Sequence, residues 1–465
     1  MRNFRITVLS IMSLRAVFWR GNLMRLLRRF ASRNDNAGFI RKLPGYIFYN
    51  ILLVLFFPLF AFISSRRHCR RGGRWNDILT RLGFNANPGI PFNGIWIQAL
   101  SVGEVTIARV LIDLLKKEFS LPVFLTTTTV TGFRTARRLL PEIPATYFPF
   151  DLPFIWPSFL HRCKPLIFIS LETEFWPNLL FALTRRNIPA VLINGRFSPN
   201  SYRRFRKVGF ITAPVLGCFQ EVGMRSRREA DWIINLGVLP ERVTITGNIK
   251  YDVVFRQAEK INPEEARREF LLTGRSIVFG SIHPEEEEMA VEVSRRLLSE
   301  FPGLRIIFAP RHQERSNLET ILQKEGVKYQ KFSSLHQPFV ENFLLLNVMG
   351  RLNHAYAASR AAFVGGSLTV YGDGGHNLVE PAAFAKPAAF GPHAWNFKEE
   401  AEILQKSGGG ELVRDANGLC AFFLRCLSEP DWAKESGKKA YEAISRETGA
   451  AERSLQIIRK ALSSN

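Results

Sequence analysis

Acidic residues are nearly absent from the first 85 positions, where Asp35 and Asp77 stand against 16 lysines and arginines. That block carries +14 of the formal +22, leaving about +8 for the other 380 residues. A nucleic-acid binder spreads its basic groups over a folded face. Here they flank an apolar segment instead, which favours anionic lipid headgroups at roughly 1 kcal/mol per surface cation and argues against a nucleic-acid partner. Cysteine is also scarce. Cys69, Cys163, Cys218, Cys420 and Cys426 are odd in number, and no pair has zinc-ligand or redox spacing. That excludes a disulfide framework and points to a reduced, cytosolic body. Heptads, tandem repeats and low-complexity tracts are missing. The first strand-like run leads into Ser101-Val102-Gly103-Glu104 rather than G-x-G-x-x-G, so a nicotinamide site has no support.

What is present begins with one long apolar run at 46–63, YIFYNILLVLFFPLFAFI. As a helix its 18 residues extend about 27 Å, near the lower limit for crossing a bilayer. No small-residue cleavage site follows it, which excludes a signal peptide. Arg41 and Lys42 precede it and Arg66, Arg67, Arg70 and Arg71 follow, so charge gives no orientation. A spanning helix and a monotopic helix lying in one leaflet both fit, and only the second keeps both basic flanks on one side. Residues 43–65 are thus expected to anchor the protein to a membrane. Residues 1–42 form a basic extension that alternates arginines with apolar residues, as an interfacial helix does. They equally fit sequence upstream of the true start.

From residue 66 onward, short apolar runs alternate with helical stretches. Strands are expected at 94–100, 122–127, 165–171 and 189–194, with helices at 104–118, 131–140 and 178–186. After a charged helical stretch at 263–270 the pattern restarts, with strands at 276–279, 305–309, 343–346, 361–364 and 388–390. This alternation implies α/β architecture: two Rossmann-like domains, 66–254 and 255–465, with parallel sheets and a ligand cleft between the carboxyl ends of their strands.

Polar clusters fall at the ends of these strands. Glu104 opens a helix directly after the first strand, a pattern that also fits helix capping. Glu172 and Glu174 lie in ETEFWPN after the third strand, and Lys250 lies in a glycine turn, GNIKYD, before the boundary. Pro310-Arg311-His312 follow a strand of the second half, and Arg311 suits bidentate contact with phosphate. The densest cluster runs from Gly365-Gly366 through Gly372, Gly374, Gly375 and His376 to Asn377, Leu378, Val379 and Glu380, with a helix expected to open at 381–385. Glycines let a backbone approach a nucleotide, a helix N-terminus favours phosphate, and an acid accepts from ribose hydroxyls.

Together the motifs SVGE, ETEFWPN, NGRFS, GNIKYD, GSIHPEEEE, APRH, GGHNLVEPAA and GPHAWNF resemble the 3-deoxy-D-manno-octulosonic acid (Kdo) transferases of lipid A assembly, over about 44–460. The resemblance implies the GT-B glycosyltransferase architecture with an N-terminal membrane anchor at the cytoplasmic face of the inner membrane. It implies an inverting transfer from CMP-Kdo to a lipid A precursor (lipid IVA), with no cofactor and no metal. It makes Glu104 the general base and gives Glu172 and Lys250 roles in transition-state stabilisation. It assigns CMP contacts to Pro310, Arg311, Met349, Gly350, Arg351, Asn377, Leu378, Val379 and Glu380. Where the family reads Met-Gly-Glu this chain reads Met349-Gly350-Arg351, a charge reversal beside the nucleotide. The arginine often found before the Gly374 segment is also missing. No Asp-x-Asp pair stands near the donor strands, in keeping with metal-independent chemistry. Another membrane-associated GT-B enzyme would share the architecture without needing SVGE and ETEFWPN together. A nucleotide-binding protein with decayed catalysis would not need Glu104, Glu172 and Lys250.

Overall fold

The computed structural model describes residues 36–84, 89–335, 341–370 and 374–463. The interfacial-helix expectation for the N-terminal extension and the glycine at 372 lie outside them. The first half contains β1 (Ile95–Gln98), β2 (Val123–Thr127), β3 (Ala145–Tyr147), β4 (Ile167–Leu171), β5 (Ala190–Gly195), β6 (Glu221–Met224) and β7 (Val243–Ile245). They form one parallel sheet in the order β3-β2-β1-β4-β5-β6-β7. The second half contains β8 (Ser276–Ile282), β9 (Arg305–Pro310), β10 (Tyr329–Lys331), β11 (Phe343–Leu345), β12 (Ala361–Val364), β13 (Ala388–Phe390) and β14 (Gly410–Leu412). Their order is β10-β11-β9-β8-β12-β13-β14, again parallel. Helices cover both sheets, and the chain has the GT-B architecture with an apolar N-terminal helix.

The central strands read as unbroken apolar runs because a parallel sheet is buried on both faces. β1 and β4 lie side by side with Ile95 opposite Ile167, and every residue of both is buried. The strands that sequence patterning does not reveal are β3, β6, β7, β10 and β14. All but β6 are edge strands of three residues, with one neighbour each.

The two halves share a helix rather than a linker. In the helix Ile249–Ala258, Ile249 and Val253 pack into the first core, while Tyr251, Val254 and Ala258 pack into the second. Helical periodicity turns successive side chains toward different partners, so one short helix serves both bodies. The final helix, Ala450–Ser463, also departs from the sequence expectation of one body over 255–465. Its Ala450, Ala451, Ile457, Ile458 and Ala461 sit in the core of the first half. Asp252 holds it there by accepting from the amides of Gly449 and Ala451 at 2.6 and 2.9 Å.

The apolar run lies within a longer helix, Asn36–Arg70. One stripe of it packs on the first half: Tyr46 against Phe181, Phe57 against Phe150, and His68 paired with Asp77 at 2.9 Å. Gly45 lies so close to the Phe210 carbonyl that a Cβ would meet its oxygen at 2.5 Å. Tyr49 donates to Asp151, a buried carboxylate that also accepts from the Trp156 indole and the amides of Asn178 and Leu179. Burial raises the Asp151 carboxyl to about 6 against these bonds, each of which lowers it. The opposite face, with Ile51, Val54, Leu55, Phe56, Leu59 and Phe62, is exposed.

Candidate active site

In each sheet the strand order reverses beside the first strand of its half. The reversal lies between β1 and β4 in one, and between β8 and β12 in the other. Loops leave such a point in opposite directions and open a crevice at the carboxyl ends of the strands, where open α/β sheets bind ligands. The segment with Glu104 follows β1 and the one with Glu172 follows β4. His283 follows β8, and the glycine pair Gly365-Gly366 follows β12.

Glu104 lies in the first turn of the helix Val102–Glu118 and is only 6% exposed. Its carboxylate bends back to accept from the Leu100 amide at 2.5 Å, with the Ser101 hydroxyl farther off at 3.4 Å. Burial raises its carboxyl to about 7; the Glu172 charge also raises it, and the two hydrogen bonds and Lys250 pull it down. Opposite stands an ion pair, Lys250 Nζ to Glu172 Oε1 at 2.9 Å, with Arg196 of NGRFS 3.8 Å from the other carboxylate oxygen. Glu172 holds a left-handed backbone, φ 58°, a conformation that costs a non-glycine residue energy and occurs at functional sites. Each residue of GNIKYD has a place. Gly247 turns the chain with φ 87°, Asn248 caps the helix by accepting from the Lys250 amide, and Ile249 enters the core. Lys250 meets Glu172, Tyr251 donates to Glu400 of the second half, and Asp252 fixes the last helix.

Glu174 is a member of this cluster that motif reading left without a role. Burial first and the Glu104 charge second raise its carboxyl to about 8, against the hydrogen bond it accepts from Trp176 at 3.0 Å. Three carboxylates and two cations thus share one crevice.

The second half is organised by Glu286. Its two oxygens accept from four backbone amides, those of His283, Gly366, Ser367 and Leu368, at 2.7 to 3.1 Å. A Cβ at Gly365 would stand 2.5 Å from Glu286 Oε2, so only glycine lets the β12 loop approach this carboxylate. The signal for Glu286 was its place three residues after the helix-opening His283, the capping-box spacing. GPHAWNF straps the other glycines: Asn396 donates to the Gly374 carbonyl and His393 to that of Ser367.

Pro310 ends β9 beside Ile282, and the Arg311 amide bonds the Ile282 carbonyl. The Arg311 charge is felt at Glu380. Burial raises the Glu380 carboxyl to about 7, while the Asn377 hydrogen bond at 3.2 Å and then Arg311 draw it down. Leu378 and Val379 are buried in the core, and the Val379 amide donates to Asn377 Oδ1 at 3.2 Å. The helix that Glu380 opens is Val379–Ala383, starting two residues earlier than the sequence suggests. Met349 is exposed and Gly350 has φ 81°. Arg351 is turned to Glu269, Nε to Oε1 at 3.0 Å, and lies 3.3 Å from His354. A carboxylate of this chain therefore neutralises the reversed charge. The structure brings Glu104, Glu172 and Lys250 into one cluster and gathers Pro310, Arg311 and residues 377–380 at the other. The helix Ile249–Ala258 connects the two.

The family model described as 3-deoxy-D-manno-octulosonic-acid transferase (kdotransferase) matches residues 74–253. The chain is 32% identical over 425 residues to a 3-deoxy-D-manno-octulosonic acid transferase of Haemophilus influenzae, covering 90% of this chain and 99% of that one. A Bordetella pertussis protein of the same description is 29% identical, covering 86% and 96%. Among solved structures, a glycosyltransferase from Rickettsia africae matches with a TM-score of 0.55 at 13% identity, covering 80% of this chain and 100% of that one. A UDP-GlcNAc 2-epimerase from Neisseria meningitidis matches with 0.56 at 15%, covering 79% and 100%. At these identities the two structures share the fold alone.

Proposed function

The chain belongs to the 3-deoxy-D-manno-octulosonic acid transferases, glycosyltransferases of lipopolysaccharide assembly, and from that premise we propose a specific reaction. The donor is CMP-Kdo and the acceptor a lipid A precursor, lipid IVA. The acceptor hydroxyl attacks the anomeric carbon of Kdo from the face opposite the phosphate, and Glu104 takes its proton. The new glycosidic C–O bond forms as the bond to phosphate breaks, CMP leaves with the electron pair, and the configuration inverts. The observation that carries this reading is the buried Glu104 carboxylate facing the Lys250–Glu172 ion pair. A carboxyl raised to about 7 is half ionised at neutral pH, the condition under which a general base works best. Lys250, with Glu172 fixing its position, stabilises charge as it develops.

On the donor side Arg311 meets the phosphate, Glu380 accepts from ribose hydroxyls, and Pro310, Asn377, Leu378 and Val379 contribute backbone and side-chain contacts. Met349 and Gly350 complete the nucleotide site through backbone. Arg351, paired with Glu269, adds little charge there.

The packed stripe of the apolar helix supports monotopic attachment. Tyr46, Phe57 and His68 all touch the first half along roughly 33 Å of helix, so its whole length stays beside that body. The exposed face enters one leaflet. Anionic headgroups meet Arg66 and Arg67 and a groove of about 490 Å³ lined by Arg203, Arg206 and Lys207. The body faces the cytosol at the inner membrane, where CMP-sugars are made.

Incubating the purified protein with a CMP-Kdo generating system and lipid IVA, followed by mass spectrometry, tests the reaction. Mass increments of one or more Kdo residues are expected, and an unchanged acceptor overturns it. Protease added to sealed inner-membrane vesicles of known orientation should digest the body from the cytosolic face only. Digestion from the periplasmic face overturns the placement.

A further inference from the structure

The apolar helix carries more than attachment to lipid requires. Residues 46, 49, 50, 53 and 57 recur at helical spacing and share the face packed on the first half. Leu53 and Phe57 meet the cluster of Ile78, Phe150, Leu152 and Ile155. Between them and Tyr46 stand Tyr49 and Asn50. Asn50 and Asn178 exchange hydrogen bonds, each Nδ2 donating to the other Oδ1 at 3.0 Å. Asn50 Nδ2 also donates to the Tyr46 carbonyl at 3.0 Å, and Asn178 Nδ2 to the Asp151 carbonyl at 2.6 Å. Both amides are thus fully used as donors. A primary amide in an apolar helix costs free energy unless paired, and here its partner belongs to ETEFWPN.

Asn178 is 2% exposed and opens the helix Pro177–Thr184, four positions after Glu174. Helix-opening amides lack partners within their helix, and the preceding residue, Trp176, makes no side-chain cap. Asp151 takes that place from another loop, accepting from the Asn178 and Leu179 amides at 3.0 and 2.9 Å. Tyr49 donates to the same carboxylate at 3.0 Å and Trp156 at 2.8 Å. The loop 172–176 is strung between this node and β4. At the β4 end the Glu172 amide donates to the Ile193 carbonyl at 3.0 Å, and the Ser170 hydroxyl to the Glu174 carbonyl at 2.8 Å. At the other end Trp176 donates to the Glu174 carboxylate and packs 5.2 Å from Phe148. The left-handed backbone of Glu172 persists only where its surroundings impose it. A helix displaced from the body therefore disturbs the node at which this loop ends.

We propose that Tyr49, Asn50, Asp151 and Asn178 form a positioning network through which the seated apolar helix sets the loop carrying Glu172 and Glu174, so that transfer requires the helix in its place and not attachment to a membrane alone. The inference rests on the roles given above to Glu172 and Lys250. The network acts through the Glu172–Lys250 pair and, by way of the Glu172 charge, on Glu104.

The test compares full-length wild type with Asn50→Leu and Tyr49→Phe on vesicles of phosphatidylethanolamine and phosphatidylglycerol carrying lipid IVA. Asn50→Leu keeps the helix apolar, so flotation with the vesicles should be unchanged. Its kcat should fall about 10- to 100-fold, the scale on which small misplacements act, while KM for CMP-Kdo and CMP affinity stay as in wild type. Tyr49→Phe removes one bond and should lose less. The acidic limb of kcat should move to lower pH in Asn50→Leu, because the Glu172 charge that raises Glu104 withdraws. Amide exchange over 172–180 should quicken in both variants. Wild-type kcat in an Asn50→Leu protein that floats and binds CMP overturns the proposal. So does a fall in kcat matched by an equal loss of CMP-binding sites, which is loss of folded protein. If Asn50→Leu does not fold, Tyr49→Phe decides: faster exchange over 172–180 with unchanged kcat overturns the coupling. A wild type that transfers no Kdo overturns the reaction itself, which exchange over 172–180, read without turnover, does not depend on.

Discussion

The two crevices occupy corresponding strand-order reversals in two parallel seven-stranded sheets, yet they hold opposite chemistry. In the first half Glu104 receives one amide at 2.5 Å and a distant hydroxyl, and burial keeps its carboxyl high enough to exchange protons near neutrality. In the second half Glu286 accepts from four amides and is committed to shaping a loop. The same residue type is poised for reaction in one place and structural in the other, according to how many donors the backbone presents. Topology sets where a ligand lies, and the residues at that point set what happens to it. In the proposed reaction the halves are accordingly separable: the first moves a proton, and the second grips an anion.

The sharpest way to break this division is Glu104→Gln. It is expected to lower kcat by about 10²–10⁴, the usual cost of losing a general base, while CMP affinity stays within a factor of two or so. A variant of full activity would remove Glu104 from the mechanism. Wild-type rate should also follow the base. With a carboxyl near 7, the ionised form falls about tenfold per unit as pH drops below that value, and kcat should fall with it. A flat acidic limb down to pH 5.5 would contradict the assignment.

Next in size is Arg311→Ala, the converse experiment. Losing one charge-assisted contact should weaken CMP binding by about 1.5–3 kcal/mol by calorimetry. At saturating donor, kcat should change far less. A pure kcat effect would collapse the distinction between the halves.

Glu174→Gln tests stability rather than rate. The carboxyl, ordinarily 4.5, is raised to about 8 in the folded chain, so its stabilising contribution is fully present below 4.5 and lost as pH rises through 8. Glutamine does not titrate. The variant should therefore gain on wild type with rising pH, by roughly 1–3 kcal/mol at pH 9 in urea unfolding, and show no gain at pH 4. A gain equal at both pH values would point to packing instead of charge.

The smallest effect is expected of Arg351→Ala, at half-exposed positions where an ion pair contributes about 0–1 kcal/mol. CMP affinity should move less than about threefold. A larger loss would mean that Arg351 leaves Glu269 to contact the nucleotide.

Much of this was legible in the residues. Unbroken apolar runs announced β1, β4, β8 and β12, because a strand buried on both faces has no polar side to alternate with. Those are the strands that flank the crevices, so Glu104 and Glu172 could be picked out by position, as Arg311 could by its place directly after β9. The edge strands β3, β7, β10 and β14 were not legible, since three residues with a single neighbour need little apolar surface. Glu174 was visible as a residue but not as a partner of Glu104, which lies 70 positions away and raises its carboxyl.

The sequence by itself determined the two α/β halves, the apolar helix with its basic flanks, and the residue types at each strand end, because periodicity and local turn chemistry are properties of neighbours along the chain. Only the tertiary structure decided the rest. It returned the last helix to the first half, laid the apolar helix along the body through Asp151, and set Arg351 against Glu269. It also raised Glu104 to a pKa of about 7. Desolvation and charge act through space, and the chain acquires them only when distant segments close over the same few atoms.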